Sequence, residues 1–230
     1  MYRITHDADL TGLTTFGIHA GCGCLVEYEG LADLMALADG MPELFAGEVF
    51  NLGGGSNVLF ADGVYLGTVL RCVGNGISQV SSTDARGQMS DEAYPRLRVQ
   101  AGVGLDTLVS HTAALGLWGL ENLAAIPGCV GGAAVQNVGA YGAEFSQCVT
   151  VVRAFDLDAM RPVEYSAVEC DYGYRHSFFK TPDAPRLAIY EVEVRLSAMR
   201  APRLGYAGIR EALGGISDEA VTPSEIVAAV

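Results

Sequence analysis

The sequence predicts an α+β fold, on three observations: runs that alternate apolar and polar residues with a period of two, a few short stretches with helical spacing, and glycine-rich turns where apolar runs end. Residues 22–29 read as a strand, and 31–38 as a short helix with apolar side chains at Leu31, Leu34, Met35, Leu37 and Ala38. Residues 48–52 form the next strand and run straight into Gly53-Gly54-Gly55-Ser56-Asn57. From position 67 the pattern changes to strands such as 97–101, followed by a helix from about 106 that stops at Gly116 in the manner of a C-cap. A long glycine-rich loop spans 119–144. Residues 149–156 and the stretch from 163 read as strands joined by a turn near Asp158, and 188–196 alternates as a half-buried strand does. The polar stretch 78–95 reads as a surface excursion, and no repeat of fixed period is visible.

Composition narrows the function classes. A chain of 230 residues with 50% hydrophobic and 18% charged content has ample material for a core. A formal charge of −13 repels nucleic-acid backbones and anionic membranes, so an anionic ligand needs backbone donors and a few placed cations. The first ten residues lack the apolar centre of a signal peptide, and no apolar run approaches the ~20 residues of a membrane span, so a cytoplasmic protein is expected. The six cysteines show no C-x-x-C spacing and the four histidines are scattered, so no metal site is expected and the thiols read as reduced. Cys129, inside the long glycine segment, is either a packing residue or a thiol near a ligand.

The segment 119–144 holds six glycines and one proline with two acids and no basic residue. Bare backbone of this kind lets amides approach an anion without any lysine, and a pyrophosphate-bearing cofactor is its natural occupant. A mobile surface loop is the other reading; Leu120, Leu123, Ile126, Val130, Val135 and Val138 interleave with the glycines and suit a buried segment better. The upstream turn 53–57 lacks the Gly-Lys-Ser/Thr ending of a P-loop, and no G-x-G-x-x-G opens a helix after it. It is a tight bend or a second phosphate-type turn.

Two further features carry chemistry. Arg175 follows Gly173 and Tyr174, is flanked by His176 and Ser177, and precedes Phe178 and Phe179. Its planar, permanently charged guanidinium fits a ligand carboxylate, or else pairs with Asp171 or Glu169. Near the end, Thr222-Pro-Ser-Glu225 is a complete helix start, with capping threonine, first-turn proline and the glutamate of a capping box. Ile226, Val227 and Val230 begin an apolar stripe that is expected to face a following domain.

The motifs Thr15-Phe-Gly17, Leu52-Gly-Gly-Gly-Ser-Asn-Val-Leu-Phe60, Gly119-Leu-Glu-Asn-Leu123 with Ile126-Pro-Gly128, Gln136-Asn-Val-Gly-Ala-Tyr-Gly142 and Cys170-Asp-Tyr-Gly-Tyr-Arg-His-Ser-Phe-Phe-Lys180 occur in an ordered series. On these the chain resembles the UDP-N-acetylenolpyruvoylglucosamine reductase (UDP-N-acetylmuramate dehydrogenase) family over almost its whole length. The resemblance implies a two-part FAD-binding unit of the vanillyl-alcohol-oxidase/PCMH type: a small α/β subdomain at 1–67, a second subdomain at 68–200, and at 201–230 the start of a C-terminal region that is cut short. It implies a flavoenzyme of peptidoglycan precursor synthesis, and so of cell-wall biogenesis, cell shape and cell division. NADPH would pass hydride to FAD, which delivers it to C3 of UDP-N-acetylglucosamine enolpyruvate while an acid protonates C2.

By the same resemblance, non-covalent FAD is held by Gly53, Gly54, Gly55, Ser56, Asn57, Ile126, Pro127, Gly128, Gly131, Gly132 and Gly139. Arg175 is the catalytic residue, by the substrate carboxylate; Tyr174 and Tyr206 are substrate-binding, although Tyr206 reads equally well as a packed aromatic. Gly132-Ala-Ala134 stands where relatives often carry serine or proline, which removes one side-chain hydrogen bond. A monomer is expected, with no nucleic acid or membrane partner. The family's serine proton donor and a carboxylate-polarising glutamate match no residue here, so the 230-residue chain alone is expected to be inactive. A different flavin oxidoreductase of the same fold, or a flavin-binding chain without activity, are the alternatives.

Overall fold

The computed structural model describes residues 1–61, 63–80 and 92–230. In chain order the elements are β1 Arg3–Asp9, β2 Gly21–Tyr28, α1 Leu31–Gly40, α2 Glu43–Ala46, β3 Val49–Asn51, β4 Val64–Cys72, β5 Ile77–Gln79 and β6 Arg96–Gln100. Then come α3 Leu105–Ala114, α4 Val130–Gln136, β7 Gly139–Ala140, β8 Ala143–Glu144, β9 Val149–Asp156, β10 Arg161–Ser166, β11 Leu187–Arg195, α5 Ala207–Ala212 and α6 Pro223–Ala229.

Two sheets carry the architecture. The first has the order β1-β2-β4-β3, with β1 antiparallel to β2 and the other two pairings parallel. The second is antiparallel throughout, in the order β10-β9-β11-β6-β5. Position 67, expected to separate the two parts, lies within β4, whose pairing with β2 continues to Cys72. Val69 and Leu70 in that second half are buried, which keeps the strand in the first sheet. The expected excursion 78–95 begins as strand, since Ser78 and Gln79 pair with β6; its residues 81–91 lie outside the described residues.

Apolar burial explains most elements. Leu34 and Leu37 of α1 are fully buried with Phe45, Leu70, Phe155, Leu157 and Tyr190 in a cluster shared by both sheets. The Tyr28 hydroxyl donates to the Ile189 carbonyl at 2.9 Å and Asn51 Nδ2 to the Leu187 carbonyl at 2.9 Å, which stitches the sheets along the start of β11. A larger cluster packs α3 and α4 on the second sheet through Val99, Leu108, Val130, Ala134 and Val192. Helix α3 ends as expected: Gly116 N donates to Ala113 O and Leu117 N to Thr112 O, the paired bonds of a Schellman cap.

The segment 119–144 is not one long loop. It contains a 3-10 turn at Glu121–Leu123, helix α4 and the β7–β8 hairpin. Three alanines and valines of α4 (Val130, Ala133, Ala134) pack inward, and that burial overrides the poor helix propensity of Gly131 and Gly132. Asn137 closes α4 in the left-handed conformation, φ +43. Glu121, in the 3-10 turn, is also buried: Oε2 accepts the Gly119 amide at 2.5 Å, Oε1 has no partner among the described residues, and burial pushes the carboxyl up.

The predicted capping box at Thr222 is present, with Glu225 N to Thr222 Oγ1 at 3.3 Å and Thr222 N to Glu225 Oε2 at 2.7 Å. The apolar stripe after it is already covered within the chain. Ile226 is fully buried with Trp118, Leu204, Ile209, Leu213 and Val221, and Val230 packs against the same cluster. Asn122 Nδ2 donates to Arg203 O at 3.0 Å and Ser224 Oγ to Ala113 O at 3.2 Å, fixing residues 201–230 against α3.

Candidate functional site

Between the two sheets lies a cleft of about 960 Å³, walled on one side by β3 and the turn 53–58 and on the other by 126–138, with the start of β11 closing one end. Strand β3 delivers the turn: Leu52 N makes the last ladder bond, to Leu70 O, and the chain then leaves the sheet. Among the described residues, the amides of positions 53 to 57 donate no hydrogen bond within the chain. Successive unpaired amides in a concave backbone are an anion site made without side chains.

The second glycine segment is pressed against the first. A Cβ at Gly54 would come within 2.7 Å of Gly128 Cα, and Ser56 Oγ donates to Pro127 O at 3.4 Å. Gly55 takes φ +68 and a Cβ there would collide with the Leu13 carbonyl, whose segment is tied on by Thr15 N to Gly55 O at 3.0 Å. Ile126, Pro127, Gly128, Gly131 and Gly132 line the cleft together with Gly53, Gly54, Gly55, Ser56 and Asn57. No basic side chain belongs to either segment. The remaining wall is largely apolar, including Tyr28, Leu70, Leu105, Leu157 and Ile189.

Arg175 stands at the cleft rim, on the tip of a two-residue turn. Gly173 N donates to His176 O at 3.1 Å and His176 N to Gly173 O at 3.0 Å, so Tyr174 and Arg175 form the loop between them. Neither Asp171 nor Glu169 pairs with it: Glu169 accepts from the Ser166 amide and hydroxyl, which hold its carboxyl below the ordinary range, and Asp171 lies 4.0 Å from His176. Among the described residues Arg175 makes no ion pair; Nη2 donates to Gly139 O at 3.3 Å. Its guanidinium is exposed and free to meet a ligand carboxylate.

Three predicted positions fall elsewhere. Gly139 does not line the cleft; it sits in the β7–β8 hairpin and borders a second concavity of about 310 Å³ with Tyr141, Glu144, Tyr174 and Arg175. The hairpin turns Gly139 away because it packs on Ala143 and Glu144. Tyr174 is 86% exposed and lines only this second concavity, so Arg175 alone borders both spaces. Tyr206 lines neither. It begins α5 half exposed and stacks edge-on against Tyr141 at 5.1 Å.

Sequence reasoning missed Asn137, Ser177 and Lys180, which connect the Arg175 turn to α4. Asn137 Nδ2 donates to Gly173 O at 2.8 Å, Ser177 Oγ to Val135 O at 2.6 Å, and Lys180 Nζ to Arg175 O at 2.9 Å and Gln136 Oε1 at 3.1 Å. The signal available was proximity in sequence to two glycine-bearing motifs. Cys129 does line the cleft beside Gly53, and Cys72 lines it too, its thiol pushed up to about 11 by burial. Among the described residues no three metal-ligating side chains converge, and no helix is long and apolar enough to cross a membrane.

Comparison with known proteins adds three findings. A sequence family described as "FAD binding domain" matches residues 45–159, half of the chain. UDP-N-acetylenolpyruvoylglucosamine reductase of Neisseria meningitidis serogroup A is 38% identical over 94% of the chain, and that of Xanthomonas axonopodis pv. citri 37% identical over 100%. The chain spans about 60% of the length of these relatives. Among solved structures, UDP-N-acetylenolpyruvylglucosamine reductase from Thermus caldophilus superposes with a TM-score of 0.63 at 24% identity, covering 88% of this chain and 64% of that one. A solvent-stable cholesterol oxidase gives 0.56 at 14% identity, covering 86% and 38%.

Proposed function

The chain belongs to the FAD-binding domain family, and from that premise we propose that it holds FAD non-covalently in the cleft and serves NADPH-dependent reduction of UDP-N-acetylglucosamine enolpyruvate to UDP-N-acetylmuramate. Its fold is the two-part α+β fold of the vanillyl-alcohol-oxidase type, and relatives 37–38% identical to it carry the reductase name. The observation that carries the reading is the contact between the two glycine segments, with unpaired amides on one wall and a single unpaired arginine at the rim.

The residues present fit the cofactor. A diphosphate needs donors and close backbone approach, and the amides of 53 to 57 supply both where a Cβ at Gly54 or Gly55 would intrude. With no lysine or arginine in either glycine segment, backbone dipoles balance the diphosphate charge there. The apolar wall around Tyr28, Leu70 and Leu157 excludes water from flat ring surface. FAD, when bound, supplies the hydride chemistry, and the chain supplies orientation and charge. The Arg175 guanidinium stabilises the negative charge that grows on the enolpyruvyl carboxylate as hydride reaches its far carbon. Gly139 O holds the guanidinium on one side and leaves its other donors for the substrate.

The setting we propose is cytoplasmic peptidoglycan precursor synthesis, with the protein as a monomer. The test uses the protein at the full length of its relatives: once purified it is yellow, releases FAD on denaturation, and oxidises NADPH only when UDP-N-acetylglucosamine enolpyruvate is present. Colourless protein that takes up no FAD would sink the reading at its base. A flavoprotein that rejects this substrate and oxidises a neutral alcohol would instead favour a different oxidoreductase on the same fold, as its likeness to a cholesterol oxidase allows.

A further inference from the structure

Arg175 has φ +53, in the left-handed region that a bulky L-residue avoids. It occupies the third position of its turn, where glycine or asparagine is the ordinary choice. Residues held in such conformations persist only where their surroundings over-determine them. The surroundings here are specific. The base of the turn is fixed by Asn137, which is 1% exposed, donates to Gly173 O and Glu144 Oε2, and accepts from Ser146 N at 3.0 Å. Among the described residues, one side chain holds the backbone at the tip. Lys180 Nζ donates to the carbonyl of Arg175 itself and also to Gln136 Oε1 at the end of α4.

We propose that Lys180 is a positioning residue: its ammonium ties the strained carbonyl of Arg175 to the last turn of α4 and so aims the guanidinium between the cleft and the second concavity. The proposal rests on the reading that Arg175 faces the substrate carboxylate. The mechanism is geometric. Peptide rotation at Arg175 would relax its φ, and the same rotation would swing the carbonyl away from Nζ and the side chain away from Gly139 O. A charge-assisted bond to that carbonyl opposes the rotation. Because α4 also forms a wall of the cleft through Gly131, Gly132 and Gln136, Lys180 sets the position of Arg175 relative to the cofactor wall rather than relative to bulk solvent.

The experiment compares wild type, Lys180→Met, Lys180→Arg and Arg175→Ala in the protein at the full length of its relatives, all loaded with FAD. Three quantities are read: hydrogen exchange at the Gly173 and His176 amides, flavin reduction by NADPH, and flavin reoxidation by UDP-N-acetylglucosamine enolpyruvate. Lys180→Met is expected to speed exchange at both amides about tenfold, the loss of one charge-assisted bond, while flavin reduction stays within about twofold. Reoxidation slows about tenfold through kcat, with KM little changed, and Lys180→Arg recovers most of the rate because a guanidinium still reaches both acceptors.

Unchanged exchange in Lys180→Met overturns the proposal. So does faster exchange with an unchanged reoxidation rate, provided Arg175→Ala slows that step. If wild type or Arg175→Ala shows that reoxidation does not depend on Arg175, the underlying reading of the site fails, and the exchange result alone decides whether Lys180 props the turn.

Discussion

The glycine cradle and the Arg175 turn sit at the same cleft and are built on opposite principles. In the cradle the proposed ligand-facing groups are backbone amides, and side chains are absent: Gly53, Gly54, Gly55 and Gly128 let two segments touch. At the turn the proposed ligand-facing group is a side chain, and a large residue sits in a conformation that glycine would take without strain. In the first arrangement nothing intrudes between the segments; in the second, hydrogen bonds from Asn137, Ser177 and Lys180 brace the turn. Where the backbone is the binding group, substitution should fail by steric collision. Where the side chain is the binding group, substitution should leave the fold intact and remove chemistry.

Four measurements break or sharpen that contrast. The largest effect is expected from Gly55→Ala, whose Cβ collides with the Leu13 carbonyl at a positive φ. Overpacking and left-handed strain together cost about 3 kcal/mol. Denaturant midpoints should fall accordingly and the purified variant should carry no FAD; a yellow Gly55→Ala protein of normal stability would show that the cradle can deform. Next, Arg175→Ala should slow reduction of UDP-N-acetylglucosamine enolpyruvate by roughly 100–1,000-fold, as loss of an oxyanion donor does, while flavin reduction by NADPH is unaffected. Stopped-flow traces in which both half-reactions slow equally would contradict the assignment.

The third measurement isolates strain from chemistry. Arg175→Gly and Arg175→Ala both delete the guanidinium, but only glycine takes φ +53 freely, so Arg175→Gly should be the more stable variant by about 1 kcal/mol. Equal melting temperatures for the two would mean that the turn relaxes when the side chain is gone.

The smallest effect concerns Glu121, which lies away from both features. Its folded-state pKa is raised above the ordinary 4.5 by burial, so the folded protein retains a proton that the unfolded chain has released. Stability therefore falls as pH rises from about 4.5 through the raised value. Glu121→Gln should flatten that part of the pH–stability curve; an unchanged slope would assign it to other groups.

Much of this contrast was legible in the sequence, because glycine and proline mark backbone geometry locally. The two turns, the capping box at Thr222 and the half-buried strand β11 all declare themselves within a few residues. What escaped depends on distant partners. Strand β1 has one buried residue, Ala8, so its sequence lacks the alternation that exposes β11. Helix α4 hides in a glycine-rich string because its stability comes from Val130 and Ala134 packing on the second sheet. The stripe of α6 looks unpartnered until the chain folds Trp118 beneath it, more than a hundred residues upstream. Asn137 and Lys180 carry no motif of their own; their roles exist only once Gly173 and Arg175 are brought to the end of α4.

The chain has a single tryptophan, and its location makes the protein self-reporting. Trp118 is 5% exposed and is packed by Leu204, Ile209, Leu213, Val221 and Ile226, all from the final thirty residues. Its emission therefore records whether that terminal segment is docked, with no label and no competing indole. Peeling residues 201–230 away by denaturant or proteolysis should shift the emission to the red before the two sheets come apart, which separates the loosening of the chain's end from global unfolding in one optical trace.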